Sequence, residues 1–493
     1  MNNEGKGLYR SSLSLLTDFY ELTMAYGYWK LGIKDRPAVF SFFFRRRPFE
    51  GTYAIAAGLD SIIDFIERFR FDSSDLAYLE SLKTDRNKPL FEPAFLEYLS
   101  SFSFSCDIDA MEEGTPVFPY EPMVRVQGPI LEAQLLEGPL LNIMNFQTLI
   151  ATKASRICAA AEGDEVVEFG LRRAQGIDGA LSGSRAAYIG GCNSTSNVLA
   201  GKHFGIPVKG THAHSWIMAF KEEEEAFDSY AAIMPHNCMY LIDTFDTIEG
   251  GKKAIQVAKK WEKKGYKILG VRLDSGDLAE LSITVREMLD KAGFQDAKIM
   301  ASNELDERII RDLKKQGAKI NIWGVGTHLI TGKDQPALDG VYKLTAIEDE
   351  AGEWMYKLKI SEQIVKTTNP GIIQVRRYSD DQGRYIGDMM YDTLLGIPKS
   401  IHLIDPIDPT KKKNMSPQMN FKDLLIPIFR KGKKVYNSPL LTKIRQNTLS
   451  ELNLFDPTIR RFLNPKSYFV GLEKSLYDLK ESLINEIKNK NVS

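Results

Sequence analysis

The chain has 493 residues, too many for one ordinary core, so two or three domains are expected. A formal net charge of −1 argues against a dedicated nucleic-acid or anionic-membrane binder, so anionic ligands would have to be gripped by local arginines. Cys106, Cys158, Cys192 and Cys238 are scattered and form no C-x-x-C pair, which favours reduced thiols over a zinc knuckle or redox dithiol.

The first residues contain no apolar signal core, and no stretch is long and apolar enough to span a bilayer, so a cytoplasmic protein is expected. Residues 13–130 read as mixed α and β. Val39 to Phe44 is rich in β-formers and predicts a strand. Residues 61–71 carry Ile62, Phe65 and Phe69 at helical spacing. Residues 116–126 suggest a hairpin interrupted by prolines. Residues 131–165 read as helical, with a break at Gly138-Pro139.

A series of β/α units then begins at 166–169. Its later strands are predicted at 207–209, 239–242, 268–271, 298–300 and 320–323. Their spacing suits parallel strands joined by helical crossovers. About six strands can be counted, short of the eight of a full barrel. The fold class is therefore α/β: an irregular or incomplete β/α barrel plus a mixed α+β domain, with a helical C-terminal tail. The expected boundaries are 1–135 for an N-terminal mixed domain, 136–345 for the barrel, 346–440 for a segment returning to the N-terminal domain, and 441–493 for a helical region. The tail from Gly471 has an amphipathic pattern, and the basic runs 411–413 and 430–434 read as solvated loops.

Each predicted strand from 207 onward ends in a compact polar signature. In a β/α barrel these ends converge on the face where chemistry is done. Thr211-His212-Ala213-His214 is the first. Residues i and i+2 of a strand point the same way, so His212 and His214 could together bind zinc, although a zinc site needs further ligands and the chain has six histidines. The alternatives are a nucleophilic or a structural histidine. Asp243 follows at the next strand end. Arg272 and Asp274 alternate onto one side and could hold an anion and a ribose diol or Mg²⁺; an ion pair beside a helix cap at Asp277 is the alternative. Gly324, Gly326 and Thr327 could form a phosphate nest. Phe169 and Arg172, after the first strand of the series, offer a stacking surface and a phosphate contact.

In this order the motifs resemble those of nicotinate phosphoribosyltransferases, ATP-coupled enzymes of NAD salvage. The resemblance runs from Leu16-Thr17-Asp18-Phe19-Tyr20 through 169–176, 190–197, 210–215 and 271–277 to 324–327. It implies conversion of nicotinate and 5-phosphoribosyl 1-pyrophosphate into nicotinate mononucleotide and pyrophosphate, coupled to ATP hydrolysis through a phosphohistidine at His214. Mg²⁺ is the implied metal and ATP a co-substrate. Asp243 would orient His214. Arg272 and Phe169 would sandwich the pyridine ring, with Thr211 touching nicotinate. Asp274 would meet the ribose hydroxyls or Mg²⁺, and Arg172, Gly324, Gly326 and Thr327 would hold phosphate. Tyr20 matches an aromatic supplied by a second subunit, which implies a homodimer with shared sites. Ser196 stands where nicotinamide-using relatives carry an acid, which favours nicotinate by avoiding like-charge repulsion. His212 is given no catalytic role. The competing readings are a quinolinate or nicotinamide phosphoribosyltransferase, a zinc hydrolase built on His212 and His214, and a non-catalytic regulatory protein.

Overall fold

The computed structural model describes residues 13–361 and 367–490. They divide into two compact units, one comprising residues up to 149 and from 337 onward, the other residues 150–336.

The first unit opens with α1 (Phe19–Lys30), started by a reciprocal capping box between Asp18 and Glu21. The predicted aromatic strand is β1 (Pro37–Phe44), buried along almost its whole length. The helix predicted over 61–71 is α2 (Leu59–Glu67). The expected hairpin over 116–126 does not form. Pro116–Val117 pairs with Ala54–Ile55, whereas β2 (Asp107–Met111) and β3 (Val124–Pro129) pair with each other, and β3 pairs with β1. Pro119 and Pro122 lie between the two segments and lack the N–H donors a shared ladder needs. The break expected at Gly138-Pro139 also moves. These residues sit in the first turn of α3 (Glu137–Ala161), where a missing N–H costs nothing, and the interruption falls after the short helix Ile130–Gln134.

The second unit is a six-stranded, all-parallel sheet. Its strands are β4 (Glu165–Glu168), which precedes helix α4 (Gly176–Ile189), then β5 (Ser194–Thr195), β6 (Met239–Leu241), β7 (Gly270–Leu273), β8 (Lys298–Ala301) and β9 (Ile322–Val325). The order across the sheet is β5-β4-β9-β8-β7-β6. The strand expected at 207–209 is reduced to a single parallel bridge between Val208 and Thr195, since Pro207 has no N–H to give. The helices Thr247–Glu262, Leu278–Lys291 and Glu307–Lys315 are N-capped by the side chains of Asp246, Asp277 and Asp306. Three strand-end acids are thus accounted for as caps, and Asp243 and Asp274 are left for other work.

The two outer strands of this sheet are linked through the segment 208–212. Val208 pairs with β5, and four residues on the imidazole Nε2 of His212 accepts the backbone N–H of Leu241 in β6 at 3.2 Å. A side chain here makes the bond that a strand ladder would otherwise supply.

The chain then returns to the first unit. β10 (Gly340–Glu348) pairs antiparallel with β1, and β11 (Trp354–Tyr356) pairs with β10. β12 (Ile373–Ser379), β13 (Tyr385–Asp392), β14 (Ile401–Ile404), β15 (Lys412–Met415) and β16 (Asn420–Asp423) belong to a separate sheet, while β17 (Leu425–Arg430) rejoins the first beside β2, with β18 (Lys433–Lys434) paired to its outer side. The expected tail helix starts later than its pattern suggested. Val470–Glu473 is strand β19, inserted between β13 and β14, and only then does α7 (Lys474–Lys490) begin. The returning segment thus feeds two sheets, and the C-terminal region is not wholly helical. The basic run at 411–413 is not a free loop, since Lys412 and Lys413 lie in edge strand β15, and Arg430 pairs with Asp109 at 2.5 Å. The second sheet is anchored by Arg377 and Asp388, both fully buried and 2.6 Å apart. No helix among the described residues is long and apolar enough to cross a membrane. All four cysteines are free thiols.

The seam carries a pH signature. Burial, with lesser help from Arg272 and His214 against a contact to the Ala213 carbonyl, pushes the His212 imidazole from 6.5 down to about 4. Between these two values the unfolded chain binds a proton that the folded protein refuses, so stability falls as pH drops from about 6.5 to about 4, by on the order of 3 kcal/mol. His212→Gln keeps an acceptor for Leu241 but does not titrate. Urea unfolding at pH 7 and 4.5 should show a shallower loss for the variant than for the parent; equal losses would refute the assignment.

Candidate active site

The strand ends of the second unit carry a connected set of polar side chains. At its centre is Arg272, near the end of β7. Its Nε donates to Ser302 Oγ at 2.8 Å, Nη1 to Thr211 Oγ1 at 3.1 Å and Nη2 to Asp274 Oδ1 at 2.8 Å. The planar fork of a guanidinium allows three partners on different segments to be engaged at once. Ser302 accepts from Arg272 and donates to Asp274 Oδ1. The guanidinium carbon lies 5.7 Å from the ring centre of Phe169.

Asp274 is half-buried. Burial works to raise its pKa, but the Ser302 hydroxyl, Arg272 and His214 outweigh it and hold the carboxyl below the usual range. Its second oxygen lies 3.6 Å from Nε2 of His214. His214 begins the short helix α5 (His214–Met218), and its Nδ1 is 3.2 Å from Thr244 Oγ1. The carboxylate beside His214 is therefore Asp274. Asp243, expected to orient that histidine, instead accepts from the backbone N–H of Asp274 at 2.7 Å and the hydroxyl of Ser275 at 2.8 Å, both through Oδ2. It holds the loop that holds Asp274. Its Oδ1 is buried with no hydrogen-bond partner.

His212 faces the seam, with Nε2 engaged by Leu241 and its ring edge-on to Tyr230 at 4.8 Å. That lone pair is not available to zinc, and no group of three or more His, Cys, Asp and Glu among the described residues is arranged to hold a metal. The H-x-H pair thus divides into one seam residue and one site residue.

Gly324 lies within β9, not in a loop. A Cβ there would come within 2.8 Å of two ring atoms of Phe169, and one at Gly326 within 3.2 Å of the Phe169 carbonyl oxygen. These glycines give the ring its seat, and Phe169 packs on Val167, Met239, Met300 and Ile322. Thr327 opens the short helix α6 (Thr327–Ile330), and its hydroxyl meets Glu304 Oε1 at 3.3 Å. The other oxygen of Glu304 is 2.7 Å from Nε2 of buried His328. Arg172 is exposed in a 3-10 turn, Leu171–Arg173. Ser196, half-buried, directly follows β5 and donates its N–H to the Glu168 carbonyl at 2.9 Å. Tyr20 belongs to the other unit, on α1, where it is 46% exposed beside Phe19 at 54%.

Sequence reasoning passed over Ser302, Thr244, Glu168 and Glu304. Ser302, Thr244 and Glu304 stand inside the strand-end signatures, so their placement was visible. Their partners lie 23 to 30 residues away, which no local pattern displays.

Models of three nicotinate phosphoribosyltransferase (NAPRTase) segments match the chain: the N-terminal domain over residues 15–145, the family proper over 165–369 and the C-terminal domain over 373–480. The chain is 45% identical to a nicotinate phosphoribosyltransferase of Bacillus subtilis (strain 168), with 98% of each covered. It is 32% identical to one from Homo sapiens, covering 95% of this chain and 96% of that one. The crystal structure of human nicotinic acid phosphoribosyltransferase matches with a TM-score of 0.82 at 30% identity, over 95% of this chain and 99% of the other. A nicotinate-nucleotide pyrophosphorylase from Pyrococcus furiosus shares the fold, at a TM-score of 0.66 and 22% identity over 92% and 97% of the two chains.

The seat of Phe169 can be tested without any ligand. Gly324→Ala drives a methyl into the ring and should cost about 1–3 kcal/mol in urea unfolding. Adding Phe169→Ala should relieve the clash, so the double variant loses less than the sum of the two single losses. Strict additivity would show that ring and glycine do not meet.

Proposed function

The chain belongs to the nicotinate phosphoribosyltransferase family, and from that premise we propose that it makes nicotinate mononucleotide and pyrophosphate from nicotinate and 5-phosphoribosyl 1-pyrophosphate, in the cytoplasm, as the entry of nicotinate into NAD. The observation that carries this reading is the pairing of the Arg272 guanidinium with the Phe169 ring at 5.7 Å. A flat ring in van der Waals contact with both needs a gap of roughly 7 Å. The 5.7 Å separation is within about 1 Å of that gap, so the pair is on the scale of a pyridine clamp. Arg272 both stacks on the ring and draws the substrate carboxylate, with Thr211 beside it.

His214 is the proposed phosphoryl acceptor. In the tautomer that donates Nδ1–H to Thr244, 3.2 Å away, Nε2 carries the lone pair that attacks. In the proposed ATP coupling the γ-phosphoryl group of ATP passes to Nε2, ADP departs, and water later cleaves the P–N bond. Asp274, 3.6 Å from Nε2, stabilises the cationic ring that results. The role first expected of Asp243 passes to Asp274, and Asp243 becomes its support.

Mg²⁺ is bound through one or two carboxylates, with water and substrate phosphates completing the shell. Asp243, with its buried unpartnered oxygen, and Asp274 beside it fit that demand. When bound, the ion supplies positive charge to the departing pyrophosphate. Arg172, exposed at the turn after β4, and Thr327 with Gly326 are proposed to hold phosphate. Tyr20 on the exposed face of α1 is proposed to complete the site of a second copy in a homodimer.

Incubation with nicotinate, 5-phosphoribosyl 1-pyrophosphate and Mg²⁺, with and without ATP, should yield nicotinate mononucleotide, with ATP stimulating the yield. His214→Ala should lose that stimulation and all acid-labile phosphate while keeping slow ATP-independent transfer. Full stimulation in the variant would remove His214 from the coupling. Ser196→Asp places a like charge near the substrate carboxylate and should lower kcat/KM for nicotinate by about 10–100-fold. An unchanged value would show that Ser196 does not select the substrate.

A further inference from the structure

Glu168 ends β4 directly before Phe169. Strand alternation turns Val167 and Phe169 toward the apolar cluster and Glu168 the opposite way, onto α4. The residue is 1% exposed. A buried carboxylate costs several kcal/mol unless its oxygens are well satisfied. No cation pairs with this one among the described residues. Instead three neutral donors converge on it from three segments. Thr195 Oγ1 in β5 donates to Oε2 at 2.6 Å, Ser184 Oγ in α4 donates to Oε2 at 2.8 Å, and the backbone N–H of Gly170 donates to Oε1. The main chain adds a fourth tie, from Ser196 N–H to the Glu168 carbonyl.

Phe169 is therefore held from both sides, by its seat on β9 and by the carboxylate that grips the next peptide. Gly170 is closely enclosed here: a Cβ there would lie 2.4 Å from Ile330 and 2.8 Å from Glu168 Oε1, so only glycine fits beneath this grip. Through Thr195 the same carboxylate holds the residue before Ser196. We propose that Glu168 is a positioning residue for pyridine recognition: one buried carboxylate sets Phe169, which stacks on the ring, and Ser196, which faces its substituent, in fixed relation. The inference rests on the assignment of Phe169 and Ser196 to nicotinate.

Two variants test it. Glu168→Gln presents N–H groups where donors must be accepted, and Thr195→Val removes one donor without touching the carboxylate. Glu168→Gln should raise KM for nicotinate by about tenfold or more, while KM for 5-phosphoribosyl 1-pyrophosphate stays within about twofold. Thr195→Val should shift the first constant alone and by less. A general loosening of the fold would raise both constants together, and that result overturns the proposal, as does an unchanged nicotinate KM in both variants. Should Glu168→Gln not fold, Thr195→Val decides. Crystal structures of the parent and either variant probe the same role without turnover: displacement of the Phe169 ring by about 1 Å is expected, enough to matter to a positioned reactant, and an unmoved ring counts against it. A parent protein that makes no product refutes the nicotinate assignment, while the ring displacement still tests the role of Glu168.

Discussion

The site depends on how one guanidinium is held. Arg272 engages Ser302, Thr211 and Asp274 through its Nε and both terminal nitrogens, and these partners come from three separate segments. Each partner is itself tied. Ser302 binds Asp274, and Asp274 takes its backbone position from Asp243. In a half-buried setting a cation with three good acceptors is held far more firmly than a surface ion pair, and loss of any one partner leaves a poorly solvated charge behind. The plane of the guanidinium, and with it the face offered to Phe169, is a consequence of those bonds.

A second constraint lies in the backbone. Six parallel strands leave two edges whose N–H and C=O groups need partners. At one point the imidazole of His212 meets this need, by accepting from Leu241. The cost is a histidine that cannot readily be protonated. The benefit is that the segment carrying Thr211 and His214 is pinned beside β6. One residue separates the seam histidine from the site histidine, so the placement of His214 depends on a bond made by its neighbour.

Much of this site could be read along the chain because the second unit is built from short β/α repeats. In such a repeat the residues just after a strand must lie at the C-terminal edge of the sheet, so Arg272, Asp274, His214 and Phe169 could be grouped from their order alone. The caps could be read too. Asp277 was recognisable as a helix start, and in the structure it accepts from Ala279 and Glu280. The first unit was harder to read. β17 pairs with β2 across more than 300 residues of chain, and the separate sheet formed by β12 to β16 with β19 leaves no periodic trace that distinguishes it from a return to the first sheet. Pro119 and Pro122 blocked a hairpin that strand propensity alone favoured.

Local rules, then, determined the elements: a strand needs β-formers, a helix needs a cap, and proline removes a donor wherever it stands. From these the sequence by itself determined five of the six parallel strands, the polar strand ends and the chemical types available there. The tertiary structure decided which carboxylate serves which partner. Asp243 and Asp274 are chemically alike and similarly placed after strands, and only the path of the 274–275 loop brings one to His214 and leaves the other beneath it. The same holds for His212 and His214, and for Gly324, whose missing Cβ makes room for a ring 155 positions earlier in the chain. A hydrogen bond acts over about 3 Å of space and takes no account of separation along the chain.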